Sequence, residues 1–170
     1  VASGAGKALG KLGGEDAELY GMHLSYLKES HLLPESGVSC DPYNTRDIQS
    51  RLIIAFVDGQ RVESVHEGQS AELITAETNF YLEMGGQVGD TGTISNGNGF
   101  QFEVESIRRP IAGLTVHYGT VKSGMAEVGE QVEISVDKIR RQDIMRNHTA
   151  THLLHAALRV VLGDQARQAG

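Results

Sequence analysis

Two histidines four residues apart, His148 and His152, are the residues in this sequence best placed to do chemistry. Positions at that spacing on a helix lie about 40° apart around the axis and roughly 6 Å along it, so both rings can turn to one point. One helix offers two imidazoles to one zinc ion in this way. No Glu stands between them, so the general base of the metalloprotease pattern is missing. The plainer reading makes them polar residues on a helix whose Leu and Ala face packs into a core. His155 lies on a similar face but about 10 Å along the axis from His148, too far for one ion to hold both. Thr149 and Thr151 can turn hydroxyls to a substrate or bond back to their own helix, and back-bonding is the expectation for Thr151.

A second candidate is the turn Gly85-Gly86-Gln87. Two residues without Cβ let a backbone approach a ligand closely, and the Gln87 amide both donates and accepts. A plain barrel loop would use glycine as well. Cys40 is the only cysteine, so an internal disulfide is excluded, and without partners so is a Cys-rich zinc finger. That suits a reducing compartment.

The elements that must position these groups change period along the chain. Residues 1–14 carry Gly4, Gly6, Gly10, Gly13 and Gly14 and read as a frayed lead-in. Leu19, Met22 and Tyr26 predict an amphipathic helix from Glu15 to Glu29, broken by Pro34 and Gly37. Leu52–Val57 and Arg61–Val65 around Asp58-Gly59 predict a hairpin with a type I′ turn. Ala71–Ala76 is a further strand, and so are the runs of alternating residues at Phe100–Val104, Leu114–Tyr118 and Val132–Val136. Short strands with turns at this spacing, Asn96-Gly97-Asn98-Gly99 among them, point to a small closed barrel rather than a parallel sheet. Asp137 is placed as the N-cap of a helix reaching Leu162, with a kink expected near Asn147 and Gly163 closing it. Lys138, Arg140, Arg141 and Arg146 scatter around that helix and make no single stripe.

A chain of 170 residues buries one core or two small ones. It has no long apolar run, so neither a membrane span nor a signal peptide is expected. The net charge of −7 hides an asymmetry. Residues 1–106 hold 6 Lys and Arg against 16 Asp and Glu, whereas residues 107–170 hold 9 against 6. The acidic total argues against general affinity for nucleic acid, yet a basic C-terminal third can still face an RNA end. The chain begins with Val and stops without a terminating element, as an excised piece would.

The letters around these groups carry a resemblance. Asn147-His148-Thr149-Ala150-Thr151-His152-Leu153-Leu154-His155-Ala156-Ala157-Leu158-Arg159 closely resembles the motif that opens the editing domain of alanyl-tRNA synthetases. Thr78-Asn79-Phe80-Tyr81-Leu82-Glu83-Met84-Gly85-Gly86-Gln87-Val88-Gly89-Asp90-Thr91-Gly92 resembles the Gly-Gly-Gln-x-x-Asp loop of the same family, with Met84 where a small residue is usual. The two stand in the family's order and at about its spacing, and the resemblance runs from about residue 41 to residue 170.

The resemblance implies an α+β fold: a small closed antiparallel β-barrel, similar to those of other translation proteins, between an N-terminal helix and the helical start of a truncated editing domain. Residues 1–48 would be the tail of the tRNA-recognition region, 49–136 the barrel, and 137–170 the first editing helices. It implies a ligase that attaches alanine to its tRNA with ATP and magnesium, both used in a region absent here. This segment would serve hydrolysis of Ser- or Gly-tRNA for alanine, with Gly85, Gly86, Gln87 and Thr149 at the substrate pocket. His148 and His152 would hold zinc together with a Cys-x-x-x-His motif downstream. The implied partner is the 3′ acceptor end of the tRNA for alanine, with neither DNA nor a membrane, in the cytoplasm. Two other readings stay open: a free-standing deacylase of mischarged tRNA, and a non-catalytic RNA-binding module.

Overall fold

The computed structural model describes residues 14–82 and 89–162. The strands, numbered in chain order, are β1 (Ser39–Cys40), β2 (Ile48–Val57), β3 (Gln60–Val62), β4 (Ser64–His66), β5 (Ser70–Thr75), β6 (Glu77–Thr78), β7 (Gly92–Ser95), β8 (Gln101–Arg108), β9 (Val116–Ser123), β10 (Met125–Glu127) and β11 (Gln131–Val136). Helix α1 (Gly14–Glu29) precedes them and α2 (Lys138–Leu162) follows. Six strands in the order β2-β5-β9-β8-β7-β11 pair antiparallel, and β11 returns to β2, so the barrel closes. Full closure removes the free sheet edges that would otherwise template aggregation. β4 pairs with β10 antiparallel, and β1 lies parallel to β6. The closed antiparallel barrel between two helices agrees with the expectation from the sequence.

The β2–β3 hairpin turns at Asp58 and Gly59, with φ of 50° and 75°, as a type I′ turn requires. The barrel interior is filled from alternating positions, Phe102 and Val104 on β8 and Val132, Ile134 and Val136 on β11 among them. At the seam between β7 and β11 a Cβ on Gly92 would overlap the Ser135 carbonyl, so only glycine lets these strands meet.

The unbroken apolar run of β2 has a separate cause. A register shift falls between Leu52 and Ile54. Leu52 and Ala55 point into the barrel, while Ile53, Ile54 and Phe56 belong to a second core outside it. That outer core is covered by α1 through Leu24 and Leu27 and by Leu33 and Leu114. Tyr20 and His23 pack edge-on against Phe56, and the Arg61 guanidinium lies over the Tyr26 ring at 5.3 Å. The helix is where the period predicted it, but its buried face is not. Leu19, Met22 and Tyr26 are exposed, and the stripe that packs is Tyr20, Leu24, Leu27. α1 offers two apolar stripes, and the outer patch at Phe56, Ile54 and Leu114 selects one. The N-terminal lead-in before residue 14 lies outside the described residues.

Asp137 caps α2 as expected: its Oδ1 accepts the backbone N–H groups of Ile139 and Arg140, each at 3.0 Å. The helix runs from Lys138 to Leu162 with no break at Asn147, and Gly163 lies outside the described residues. Only its first turns meet the barrel. Arg141 is its one buried residue, and Leu153, Leu154, Leu158 and Val161 are exposed. No helix among the described residues is long and apolar enough to cross a membrane.

His117 is fully buried where β9, β5 and β6 meet. Its Nδ1 lies 3.0 Å from the Leu73 carbonyl, which can only accept, so Nδ1 carries the proton. Nε2 then accepts from the Thr78 hydroxyl at 2.8 Å. Burial depresses the His117 pKa to about 4, opposed only weakly by the bond to Leu73. The folded value lies below that of the unfolded chain, so the unfolded chain takes up the proton first as pH falls. Stability is complete above about pH 6.5 and declines toward pH 4, by about 3 kcal/mol in all. Urea unfolding from pH 7 to pH 4 should show this slope, and His117→Gln, which keeps both hydrogen bonds without the charge, should flatten it. Equal acid sensitivity in the two proteins would assign the loss to other groups.

Candidate functional site

The site is built at the junction where α2 leaves the barrel, and it is organised by Arg141. This side chain is 3% exposed and its counter-ion Asp90 1%. All five guanidinium N–H groups are used. Nε donates to Asp90 Oδ2 at 2.9 Å, and one terminal nitrogen reaches the same oxygen and the Asn79 carbonyl. The other donates to the carbonyls of Pro42 and Asn44, at 3.1 and 3.3 Å. Asp90 Oδ2 also accepts the Tyr81 N–H at 2.6 Å, and the Asp90 N–H returns to the Tyr81 carbonyl at 3.0 Å. The Asn79 side chain adds bonds to the carbonyls of Asn44 and Arg46. Three segments distant in sequence are thus drawn onto one side chain: the 41–46 turn, the 79–82 arm and the 89–90 arm.

Gly85, Gly86 and Gln87 lie outside the described residues, which stop at Leu82 and resume at Gly89. The two arms of that loop pair at Leu82 and Gly89. Arg140 Nε donates to the Gly89 carbonyl at 3.3 Å, beside the Arg141 contacts. The base of the loop is therefore fastened to the first turn of α2.

His148 follows Arg141 by seven residues, two helical turns, so it lies on the same side about 10 Å further along. The rings of His148 and His152 stand edge to face with centroids 4.4 Å apart, and their Nε2 atoms are 2.8 Å apart. One Nε2 donates and the other accepts. With that proton moved to Nδ1, both Nε2 lone pairs would address one region, as metal binding needs. Zn–N bonds of about 2.0–2.1 Å in a tetrahedron would set the nitrogens about 3.3 Å apart, so the rings need open by only about half an ångström. The donor set suits zinc, and it is two ligands. Among the described residues no group of three or more His, Cys, Asp or Glu could hold a metal ion. The Cys40 thiol lies 3.8 Å from both the Phe80 carbonyl and the Arg109 guanidinium; burial pushes its pKa up and Arg109 offsets part of that.

A cavity of about 230 Å³ lies beside the histidines, between α2 and the 41–44 turn. Pro42, Tyr43, Tyr81, Arg141, Ile144, Met145, His148 and Thr149 line it. Thr149 thus faces this cavity, whereas the Thr151 hydroxyl bonds the Asn147 carbonyl at 2.8 Å, as expected. A larger groove of about 700 Å³ runs over the barrel past Glu103, Glu105, Lys122 and Asp137 and shares no lining residue with the first. The Lys122–Glu103 ion pair and the surrounding carboxylates make it unsuited to phosphate.

Sequence reasoning did not single out Asp90, Asn79 or the role of Arg141. Asp90 stood in the quoted glycine-rich block, but its use is structural in the first instance. The available signal was one Arg in a cationic helix start, and nothing local distinguishes it from Arg140.

A family profile described as tRNA synthetases class II (A) matches residues 21–140. An alanine–tRNA ligase of Chloroflexus aurantiacus is 50% identical over 113 residues, 66% of this chain and 12% of that protein. One from a Chelativorans species is 45% identical over 128 residues, 75% of this chain and 14% of that protein. One from Herpetosiphon aurantiacus is 40% identical over 142 residues, 84% of this chain and 16% of that protein. The chain spans roughly an eighth to a sixth of the length of these relatives.

Removing one partner of a buried ion pair strands the other charge, which costs about 3–5 kcal/mol. Arg141→Met and Asp90→Asn should each lower unfolding stability by about that amount. The double variant should lose clearly less than the sum, because the groups share one interaction. Chemical denaturation of the four proteins measures this, and additive losses would show that the pair is not coupled.

Proposed function

The chain belongs to the tRNA synthetases class II (A) family, and from that premise we propose that it is the part of an alanine–tRNA ligase joining the barrel to the hydrolytic editing site. In this reading the parent protein attaches alanine to its tRNA with ATP and magnesium elsewhere in its length. This segment serves removal of Ser or Gly from the tRNA for alanine, acting on the 3′ acceptor end. The need for a second site is physical. A pocket for alanine cannot exclude glycine by size, and one added hydroxyl changes affinity for an apolar pocket too little.

One observation carries the reading. The His148 and His152 nitrogens converge on a helix whose start is fastened by Arg140 and Arg141 to the base of the Gly85-Gly86-Gln87 loop. The two motifs that carried the resemblance are thereby tied to one structural unit. His148 and His152 would hold zinc, which supplies Lewis-acid polarisation of a bound oxygen. Thr149, on the wall beside His148, offers a hydroxyl to orient a polar aminoacyl group. The Gln87 amide would add a donor and an acceptor from the loop.

A closed zinc site gains about 10–16 kcal/mol from four ligands. With two imidazoles, the 170-residue chain should bind zinc weakly, release it to a chelator and leave seryl-tRNA for alanine intact. A longer protein containing a downstream Cys-x-x-x-His should bind one zinc tightly and hydrolyse that ester. His148→Ala or His152→Ala should abolish both properties there while alanine attachment continues. Zinc titration and deacylation assays on both lengths test this. Unchanged deacylation in the histidine variants would remove these residues from the site, and full deacylation by residues 1–170 would show that two ligands suffice.

A further inference from the structure

We propose that the 230 Å³ cavity between the 41–44 turn and α2 seats a single nucleobase, and that its occupant is the terminal adenosine of the tRNA acceptor end. This deepens the editing reading and rests on it for the identity of the occupant. The chemistry of the walls narrows the ligand. Tyr43, Tyr81, Pro42, Ile144 and Met145 present rings and apolar surface. No Asp or Glu lines the cavity, so it offers nothing to the ammonium of an aminoacyl group. Arg141 also lines it, but every N–H of its guanidinium is committed to Asp90 and to backbone carbonyls, so it is not a phosphate clamp. A flat, uncharged aromatic ligand is what remains. The volume falls below the roughly 300–1,000 Å³ of drug-sized sites, which fits one nucleoside rather than two.

Tyr43 supplies the second, independent observation. Its residue is 91% exposed, although its backbone is tightly held. Arg141 grips the carbonyls on both sides of it, at Pro42 and Asn44, and Asn79 also bonds Asn44. The Tyr43 N–H donates to Asp41 Oδ1 at 3.2 Å. An aromatic side chain carried out into water on a fixed backbone turn offers a face to a stacking partner, and only its own side-chain torsions remain to be ordered on binding. His148 and Thr149 line the same cavity as Tyr43, so a base stacked on Tyr43 would leave its ribose near the histidine pair. In a charged tRNA that ribose carries the ester.

The probe is AMP, titrated into the 170-residue chain and followed by NMR shifts of the tyrosine and His148 ring protons. CMP and ribose 5-phosphate serve as comparisons. AMP should bind in the millimolar range, shift Tyr43 and His148 together, and exceed CMP in affinity. Tyr43→Ala should weaken AMP about tenfold, Tyr43→Phe should restore it, and zinc titration of Tyr43→Ala should match the parent chain. Equal binding of ribose 5-phosphate, equal binding of CMP, or indifference to Tyr43→Ala would each overturn the assignment. The test separates this proposal from the reading beneath it. Tyr43-dependent AMP binding in a longer protein without deacylation would keep the nucleobase seat and discard the editing role. Deacylation that is sensitive to His148 but not to Tyr43 would do the reverse.

Discussion

Taking a guanidinium and a carboxylate out of water demands partners, and the pair Arg141–Asp90 recruits backbone for them. Every guanidinium N–H is bonded and Asp90 Oδ2 is shared, while Asp90 Oδ1 has no hydrogen-bond partner among the described residues. The carbonyls of Pro42, Asn44 and Asn79 satisfy the remaining guanidinium protons, and the Tyr81 N–H shares the carboxylate oxygen. The requirement runs in both directions. The ion pair is stable because three chain segments converge on it, and those segments converge because the ion pair needs their carbonyls. A hydrophobic plug of the same volume could fill the space, but it would not dictate which carbonyl lies where. The direction in which α2 leaves the barrel follows from this one constraint.

The barrel provides the rigid body against which that constraint acts. Its closure through β11 and β2 leaves no strand free to slide, and the second core under α1 locks the outer face of β2 and β5. Stiffness then passes outward along α2. Beyond its first turns the helix has no buried residue among the described ones, yet a helix needs none to carry a side chain in a fixed direction over two turns. Histidines with such exposed rings are therefore held in a defined direction relative to the 41–46 turn and the loop base. The backbone that carries the exposed Tyr43 side chain is held from behind, through its neighbours' carbonyls.

Where sequence reasoning went astray, the cause is that local pattern is silent about what faces it. α1 carries two apolar stripes of similar quality, and only the position of Phe56, Ile54 and Leu114 decides that Leu24 and Leu27 are buried. β7 went unread because Gly-Thr-Ile-Ser has a single apolar residue, and it exists by pairing with β8 and β11 on both sides. The apolar run of β2 did not disclose its bulge, since residues buried on both faces erase the alternation that would have marked it.

Patterns complete within a few residues were legible without coordinates. The Asp58-Gly59 turn, the Asp137 cap, the alternation in β8 and β11 and the four-residue spacing of His148 and His152 each rest on backbone geometry that neighbours along the chain determine. The two motifs and their order likewise pointed to the family. Tertiary structure alone decided that Arg141, rather than its neighbour Arg140, is buried, and that Asp90 is its partner across 51 residues. It also decided that Tyr43 and Thr149 share a cavity. Desolvating a charge is a property of everything that surrounds it, and no stretch of sequence contains its own surroundings.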